Sequence, residues 1–190
     1  MIECKGDDLQ SGIWTRTHGG GACRRLVDVS APDHRTPDPY LSGLLLAGRR
    51  VVVLGGGHVA QRRLIRLVEA GADVEVVAPE VTPAIALRAD RGEITWSRRR
   101  YVIGDLAAAW YVVVATDDAA CNRAASVEAE QDRIFCVRAD RADQATAWTP
   151  ATGHLDGVQV GGLSGGDPRR SRQVRDLLIG RLRRLRRLAA

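Results

Sequence analysis

The sequence predicts an α/β fold, a parallel, doubly wound sheet with a small C-terminal α+β segment, and three observations carry that reading. Val51-Val-Val-Leu54 is a short apolar run of strand character that ends in Gly55-Gly-Gly57 and passes into the helical pattern His58-Val-Ala-Gln-Arg-Arg63. From about Tyr40 to Asp140, further short apolar runs alternate with stretches of helical period. Such alternation demands right-handed crossovers and a parallel sheet. The chain has 190 residues and is 45% hydrophobic, enough for one good core and a modest appendage. Aromatic residues are only 4% of it, so valine, leucine, isoleucine and alanine must build that core.

Residues 1–38 hold Gly19-Gly-Gly21, Pro32, Pro37, scattered charges and no sustained apolar period. That is the composition of a disordered arm, in which Trp14 and His18 are incidental. The first strand is Arg50 to Leu54. A helix from about His58 to Ala70 buries Leu64, Ile65, Leu67 and Val68 and stops at Gly71 in the C′ position. The second strand is Asp73 to Val77; Pro83 opens a short helix ending near Arg91-Gly92; the third strand is about Ile94 to Ser97. A brief helical turn covers Gly104 to Ala108. The fourth strand, Trp110 to Ala115, is continuous and apolar, as a central parallel strand should be. Asp117 or Asp118 caps a helix over Ala120 to Gln131, and the fifth strand is Ile134 to Val137.

The pattern changes after Asp140. Ala145 to Thr149 and Val158 to Gly162 read as short strands separated by a glycine-containing loop, in which His154 faces solvent. Leu163-Ser-Gly-Gly-Asp-Pro168 then turns into a basic helix, where Val174, Leu177, Leu178, Leu182, Leu185 and Leu188 keep a helical spacing. An apolar stripe with a cationic reverse face suits a partner subunit, an anionic ligand or an acidic surface. A packed helix with a solvated arginine face is the plainer alternative. Residues 39–140 are therefore expected to form the nucleotide-binding domain and 141–190 a separate segment.

The glycine turn has the form Gly-x-Gly-x-x-Ala in the strand–turn–helix setting that gives the pattern meaning. Gly55 permits the tight turn, Gly57 lets the backbone approach a diphosphate, and Ala60 lets the helix pack closely on the strand. The helix N-terminus offers unpaired N–H groups and the positive end of its dipole. The fold is therefore Rossmann-like. An acidic residue near the end of the second strand often binds the ribose. Glu75 lies inside the strand, whereas Glu80 follows Ala78-Pro79 and is better placed, a solvated loop carboxylate being the alternative. No arginine stands beside it to hold a 2′-phosphate, which leans to NAD over NADP. Thr116 and Asp117, at the end of the fourth strand, either line the cofactor or belong to a helix cap.

The formal net charge is +5, and Lys5 is the only lysine. Arginine, suited to bidentate pairing with carboxylates and phosphates, supplies the rest. Cys4, Cys23, Cys121 and Cys136 form no C-x-x-C pair, which argues against a structural zinc site. No apolar run follows a basic start or approaches the roughly 20 residues of a membrane span. A cytoplasmic protein without a membrane partner is expected.

Four segments together resemble a known family. Gly55-Gly-Gly-His-Val-Ala-Gln-Arg-Arg63, Gly71-Ala-Asp-Val-Glu-Val-Val-Ala-Pro79, Ala115-Thr-Asp-Asp118 and Ile134-Phe-Cys-Val-Arg-Ala-Asp140 stand in order and at the right separations. They are similar to the dehydrogenase/ferrochelatase module of sirohaem synthase, which also exists as a stand-alone precorrin-2 dehydrogenase. The resemblance covers about residues 39 to 185. It implies oxidation of precorrin-2 to sirohydrochlorin, with a hydride passing to NAD+ and protons to base or solvent. Many members then insert Fe2+ to make sirohaem. It also implies a homodimer built from the C-terminal segment.

On that resemblance Asp140 falls on the family's catalytic aspartate. His58, Val59, Pro79 and Glu80 fall on cofactor positions, joining Gly55, Gly56, Gly57 and Ala60 of the turn and Thr116 and Asp117. Ser164 and Gly165 fall in a Ser-Gly-Gly turn near the substrate crevice. Arg138 and Arg141, with Arg169, Arg170 and Arg172, are candidates to meet the carboxylates of the tetrapyrrole, and no residue is read as a metal ligand. Departures are visible. The family commonly has Asn-Val-Val-Asp where this chain has Val137-Arg-Ala-Asp140, and its Ser-x-Gly-Gly-x-Ser-Pro turn is shortened to Ser164-Gly-Gly-Asp-Pro168. They leave NAD binding intact and put the chelatase step in question. The alternative is a non-catalytic NAD(H)-sensing module with a basic interaction helix, which needs neither Asp140 nor the Ser164 turn. Nucleic-acid binding through Arg181-Leu-Arg-Arg-Leu-Arg-Arg187 ranks last, because the leucines indicate packing and few aromatics are present for stacking.

Overall fold

The structure is a computed structural model that describes residues 38–189. Apart from Asp38, the expectations for residues 1–38, including Cys4, Trp14, His18 and Cys23, lie outside the described residues. Strands β1 (Arg50–Leu54), β2 (Asp73–Val77), β3 (Thr95–Ser97), β4 (Tyr111–Val114) and β5 (Phe135–Arg138) form one sheet in the order β3-β2-β1-β4-β5. Every pairing is parallel. The winding reverses between β1 and β4, so the crevice at their carboxyl ends is where ligands bind in open sheets of this kind.

Helices α1 (His58–Glu69) and α2 (Pro83–Asp90) cover one face, and α3 (Ala119–Gln131) the other. Val51, Val53, Val74 and Val113 point to the first with Ala60, Leu64 and Ile85. Val52, Leu54, Val112 and Val114 point to the second with Leu106, Ala125 and Ala129. A sheet buried on both faces needs unbroken apolar strands, which explains the valine runs. Gly71, at φ +73, ends α1: its N–H donates to Val68 O at 2.9 Å and the Ala72 N–H donates to Leu67 O at 3.1 Å. Asp118, not Asp117, caps α3 by accepting from the Ala120 and Cys121 N–H groups. The expected helical turn at Gly104–Ala108 is a chain of hydrogen-bonded turns. The buried Glu128 carboxylate holds it by accepting from Gly104 and Leu106 N–H at 3.1 and 3.0 Å and from the Tyr101 hydroxyl.

The C-terminal segment corrects two expectations. Ala145–Thr149 is not a strand: the hairpin is β6 (Ala151–Leu155) against β7 (Val158–Gly162), antiparallel. Asp156 and Gly157, at φ +50 and +77, form the two-residue turn that sets this register, placing Leu155 opposite Val158. His154 therefore lies in β6, where it is exposed, and not in a loop. The apolar Ala145–Thr149 stretch instead lies along the edge of β5. The Thr146 and Ala147 N–H groups donate to Cys136 O, and Thr146 Oγ1 accepts from the Cys136 N–H at 2.8 Å.

Beyond the hairpin, α4 (Pro168–Ala189) is the basic helix expected after the Ser164 turn. It packs on the hairpin through Ser171 and Ile179, which are buried, and Arg175. Gly153 makes this approach feasible, since a Cβ there would lie 2.9 Å from Ile179 Cγ1. Of the apolar stripe, Leu177, Leu178 and Leu185 are 68%, 46% and 51% exposed, while Val174 and Leu182 are half-buried. No helix among the described residues is long and apolar enough to cross a membrane.

Candidate active site at the carboxyl ends of the strands

The glycine turn divides its labour by position. A Cβ on Gly55 would lie 2.3 Å from Ala115 O, and one on Gly56 would lie 2.0 Å from Glu80 O. These two glycines let β1's exit press against the ends of its neighbours β4 and β2. Gly57 is different, because nothing lies within 4 Å of its Cβ position. It occupies the N-cap of α1 without a side-chain cap, no acidic residue follows in the first turn, and the first helical bond is Gln61 N–H to Gly57 O at 3.0 Å. The N–H groups of His58, Val59 and Ala60 precede that bond, as the orphan donors of a helix start do. An uncapped, glycine-lined helix start at the switch point fits a dinucleotide diphosphate.

Ala60 is fully buried, as close packing of α1 requires, whereas His58 and Val59 are exposed at its start. Pro79 and Glu80 are exposed beside the turn, tied to it by Thr82 N–H donating to Gly56 O at 2.9 Å. Glu75 faces away from the crevice: Arg50 and Ser97 take its two oxygens at 2.7 Å each. Asp117 is exposed.

Asp140 is held by a network. Arg138 forks onto it, Nε to Oδ1 at 2.9 Å and Nη2 to Oδ2 at 2.6 Å. The Arg138 side chain is 2% exposed and that of Asp140 33%. Arg138 Nη1 also donates to Ser126 Oγ and Gln144 Oε1. The buried Asn122 amide donates to Asp140 Oδ2 at 3.2 Å and to Thr116 O at 3.0 Å, while its oxygen accepts from the Thr116 hydroxyl at 2.5 Å. The Arg138 guanidinium, helped by Asn122 and opposed by burial, holds the Asp140 carboxyl well below the usual carboxylate range. Thr116, at the end of β4, is thereby joined to Asp140, beyond β5. Asn122 was not singled out in the sequence. The available signal was its place one turn beyond the Asp118 cap, on the side of α3 that meets the strand ends.

A cavity of about 650 Å³ opens beside this network, on the α1 face of β4 and β5. Val59, Arg138 and Ser164 all line it, so residues read separately in the sequence as cofactor and substrate contacts meet there. Gly165, at φ +48, is in the turn that carries Ser164 but does not line it. Arg141 is exposed and forked onto Asp143, away from the cavity wall. Arg172 lines the wall, and Arg169 and Arg170 do not.

Fold and crevice define an NAD(P)-binding protein of the Rossmann class, and a family model for NAD(P)-binding matches residues 44–151. The chain is 38% identical over 133 residues to the sirohaem synthase of Chromobacterium violaceum, a match covering 70% of this chain and 28% of that protein. It is 31% identical over 132 residues to the precorrin-2 dehydrogenase of Bacillus subtilis, covering 68% of this chain and 80% of the other. Among solved structures it is similar to SirC, a precorrin-2 dehydrogenase, with a TM-score of 0.67 and 28% identity over 75% of this chain and 71% of that one. The chain belongs to the family formed by precorrin-2 dehydrogenases and the N-terminal module of sirohaem synthases.

Proposed function

We propose that this protein oxidises precorrin-2 to sirohydrochlorin with NAD+ as the hydride acceptor. The observation that carries the reading is a juxtaposition. An uncapped, glycine-opened helix start and a built aspartate site stand at the carboxyl ends of the strands, and an arginine-bearing cavity reaches the first through Val59 and the second through Arg138. A sensor has no use for the last two. NAD+, when bound, takes the hydride. Gly57 and the first-turn N–H groups of α1 hold its diphosphate, and Glu80 stands beside the turn for the adenosine ribose. Thr116 carries the wall of the crevice on the β4 side.

Asp140 meets the substrate as a carboxylate, since Arg138 and Asn122 favour its charged form. A fixed anion beside the macrocycle accepts hydrogen bonds from pyrrole N–H groups and stabilises the positive charge left as the hydride departs. The proton released in the same oxidation passes to this carboxylate or to solvent. Residues 39–140 act as the NAD-binding domain, and 141–190 close over the tetrapyrrole. The exposed leucines of α4 provide the contact for a second copy, giving a homodimer. Whether a chelatase step with Fe2+ as substrate follows is decided by the Fe2+ arm of the assay below, and the proposed setting is cytoplasmic.

The test is an anaerobic assay with enzymatically generated precorrin-2 and NAD+, followed by the sirohydrochlorin spectrum and then by Fe2+ addition. NAD+-dependent sirohydrochlorin formation is expected, with Asp140→Asn losing at least 100-fold in turnover while NAD+ titration is unchanged. NAD+ binding without oxidation in the wild type would refute the reaction, and equal turnover by the variant would refute the role of Asp140.

A further inference from the structure

The arginines nearest the carboxyl ends of the strands are already engaged. Arg138 is spent on Asp140, and Arg141 on Asp143. The cavity is lined instead by a row from α1, Arg62, Arg63 and Arg66, facing Arg172 and Arg175 of α4. Among the described residues that line it, the one carboxylate is Asp167. That carboxylate is occupied by the N-terminus of α4, where Oδ1 accepts from the Arg169 and Arg170 N–H groups at 2.8 and 3.2 Å. Arg66 pairs with Glu69, Arg172 donates to Pro168 O, and Arg175 is shared between Asp176 and Thr152 O.

Arg63 stands apart. It is half-buried, yet among the described residues its guanidinium makes no hydrogen bond or ion pair. Burial pushes its guanidinium below the usual arginine value, the nearby Tyr111 opposes this, and the charge of Arg62 adds to it. A desolvated cation without a counter-charge costs stability. Standing at the wall of a cavity that has the size of a small-molecule site, it has the arrangement of an anion receptor. Its planar fork matches a carboxylate in two hydrogen bonds.

We propose that Arg63, with Arg62 beside it, anchors a peripheral carboxylate of the tetrapyrrole in this cavity and so sets the orientation in which the macrocycle meets Asp140. The proposal rests on the reading of the reaction given above. It assigns substrate recognition to the outward face of the same helix whose N-terminus holds the cofactor, one turn further along. Cofactor and substrate are then registered to each other through one rigid element.

The full-length chain is compared as wild type, Arg63→Gln, Arg63→Lys and Arg133→Gln, the last an exposed arginine at the opposite end of β5. Sirohydrochlorin and NAD+ are titrated separately, and precorrin-2 turnover and thermal unfolding are measured. Arg63→Gln is expected to raise the Kd for sirohydrochlorin and the KM for precorrin-2 at least tenfold. Its kcat stays within about twofold and its NAD+ affinity is unchanged. Arg63→Lys keeps the charge but not the fork and falls between, and Arg133→Gln matches wild type. The melting temperature of Arg63→Gln is expected to hold or rise, because a half-buried charge without a counter-ion has been removed, whereas a structural role would lower it. A wild type that binds sirohydrochlorin but does not turn over precorrin-2 refutes the reaction and leaves Arg63 to be decided by the titration. A wild type that does not bind sirohydrochlorin, or an Arg63→Gln variant that binds it within twofold of wild type, overturns the anchor.

Discussion

The Arg138–Asp140 pair is unequally buried, and that inequality has a measurable consequence. Arg138 is 2% exposed at its side chain and Asp140 33%. Asp140→Ala strands a buried guanidinium whose remaining partners are Ser126 and Gln144. Stranding a fully buried charge costs about 3–5 kcal/mol, and the two remaining acceptors place this case near the lower end, about 3 kcal/mol. Arg138→Met instead leaves a carboxylate that keeps Asn122 and water, at a cost of about 1 kcal/mol. The double variant strands nothing, so its cost should stay close to that of Arg138→Met alone, a coupling of about 3 kcal/mol. Urea unfolding at pH 7 with an unchanged m-value measures all three.

The pH dependence follows from the sign of the shift. Asp140 is depressed in the folded state, so its contribution is fully present above the unfolded carboxylate value of about 3.9 and is lost as pH falls towards the folded value. The penalty of Arg138→Met should therefore be constant from pH 5 to 8 and shrink below about pH 4. Equal costs for the two single variants, with an additive double, would refute the reasoning.

The glycine turn separates fold from binding. Gly56→Ala drives a Cβ into the Glu80 carbonyl and should cost about 2–3 kcal/mol in urea unfolding. Gly57→Ala meets no atom and should stay within about 1 kcal/mol of wild type. NAD+ titration should nonetheless show at least a tenfold loss of affinity for Gly57→Ala, and equal destabilisation of the two variants would refute the division. On α4, Leu178→Glu with Leu185→Glu removes apolar surface that this chain leaves exposed. Sedimentation equilibrium should show a dimer becoming a monomer with little change in the melt, and a monomeric wild type would refute the contact.

The Rossmann part was legible because its signals are local. The valine runs, Gly71 and the Gly55 turn each state a strand, a stop or a switch within a few residues, and parallel crossovers leave one way to assemble them. The second strand of the hairpin, Val158–Gly162, was placed correctly, but the first was misplaced because Ala145–Thr149 has a strand's composition, although the stronger signal was Asp156-Gly157, which demands a turn at that point. The leucines of α4 show a limit of periodicity. A stripe of helical period states that a face will be covered, but not by which chain, and within this one the face on the hairpin is set by Ser171, Arg175 and Ile179. At the site, Asp140 and the glycines were readable from pattern. The partnership of Arg138 with Asp140 was not, because a positive charge two residues from a carboxylate serves equally as substrate contact or counter-ion until the backbone bend after β5 is known.

That bend has a larger consequence. The sheet stops at β5, and the chain then lies along the edge as the Thr146 segment and folds back as hairpin and α4. The α1 face of β4 and β5 is left with a hollow instead of a packed crossover helix. Its floor is apolar, from Val113 and Val137, but arginines of α1 and α4 stand on opposite sides, and the repulsion of like charges across the hollow opposes its closure. The cavity thus persists for the reason that makes it receptive to a polycarboxylate. The departure at Arg138 belongs to the same logic. Arg138 donates its fork to Asp140 from the end of β5, so the counter-charge of this anion is local and no arginine of α1 or α4 is drawn on for it.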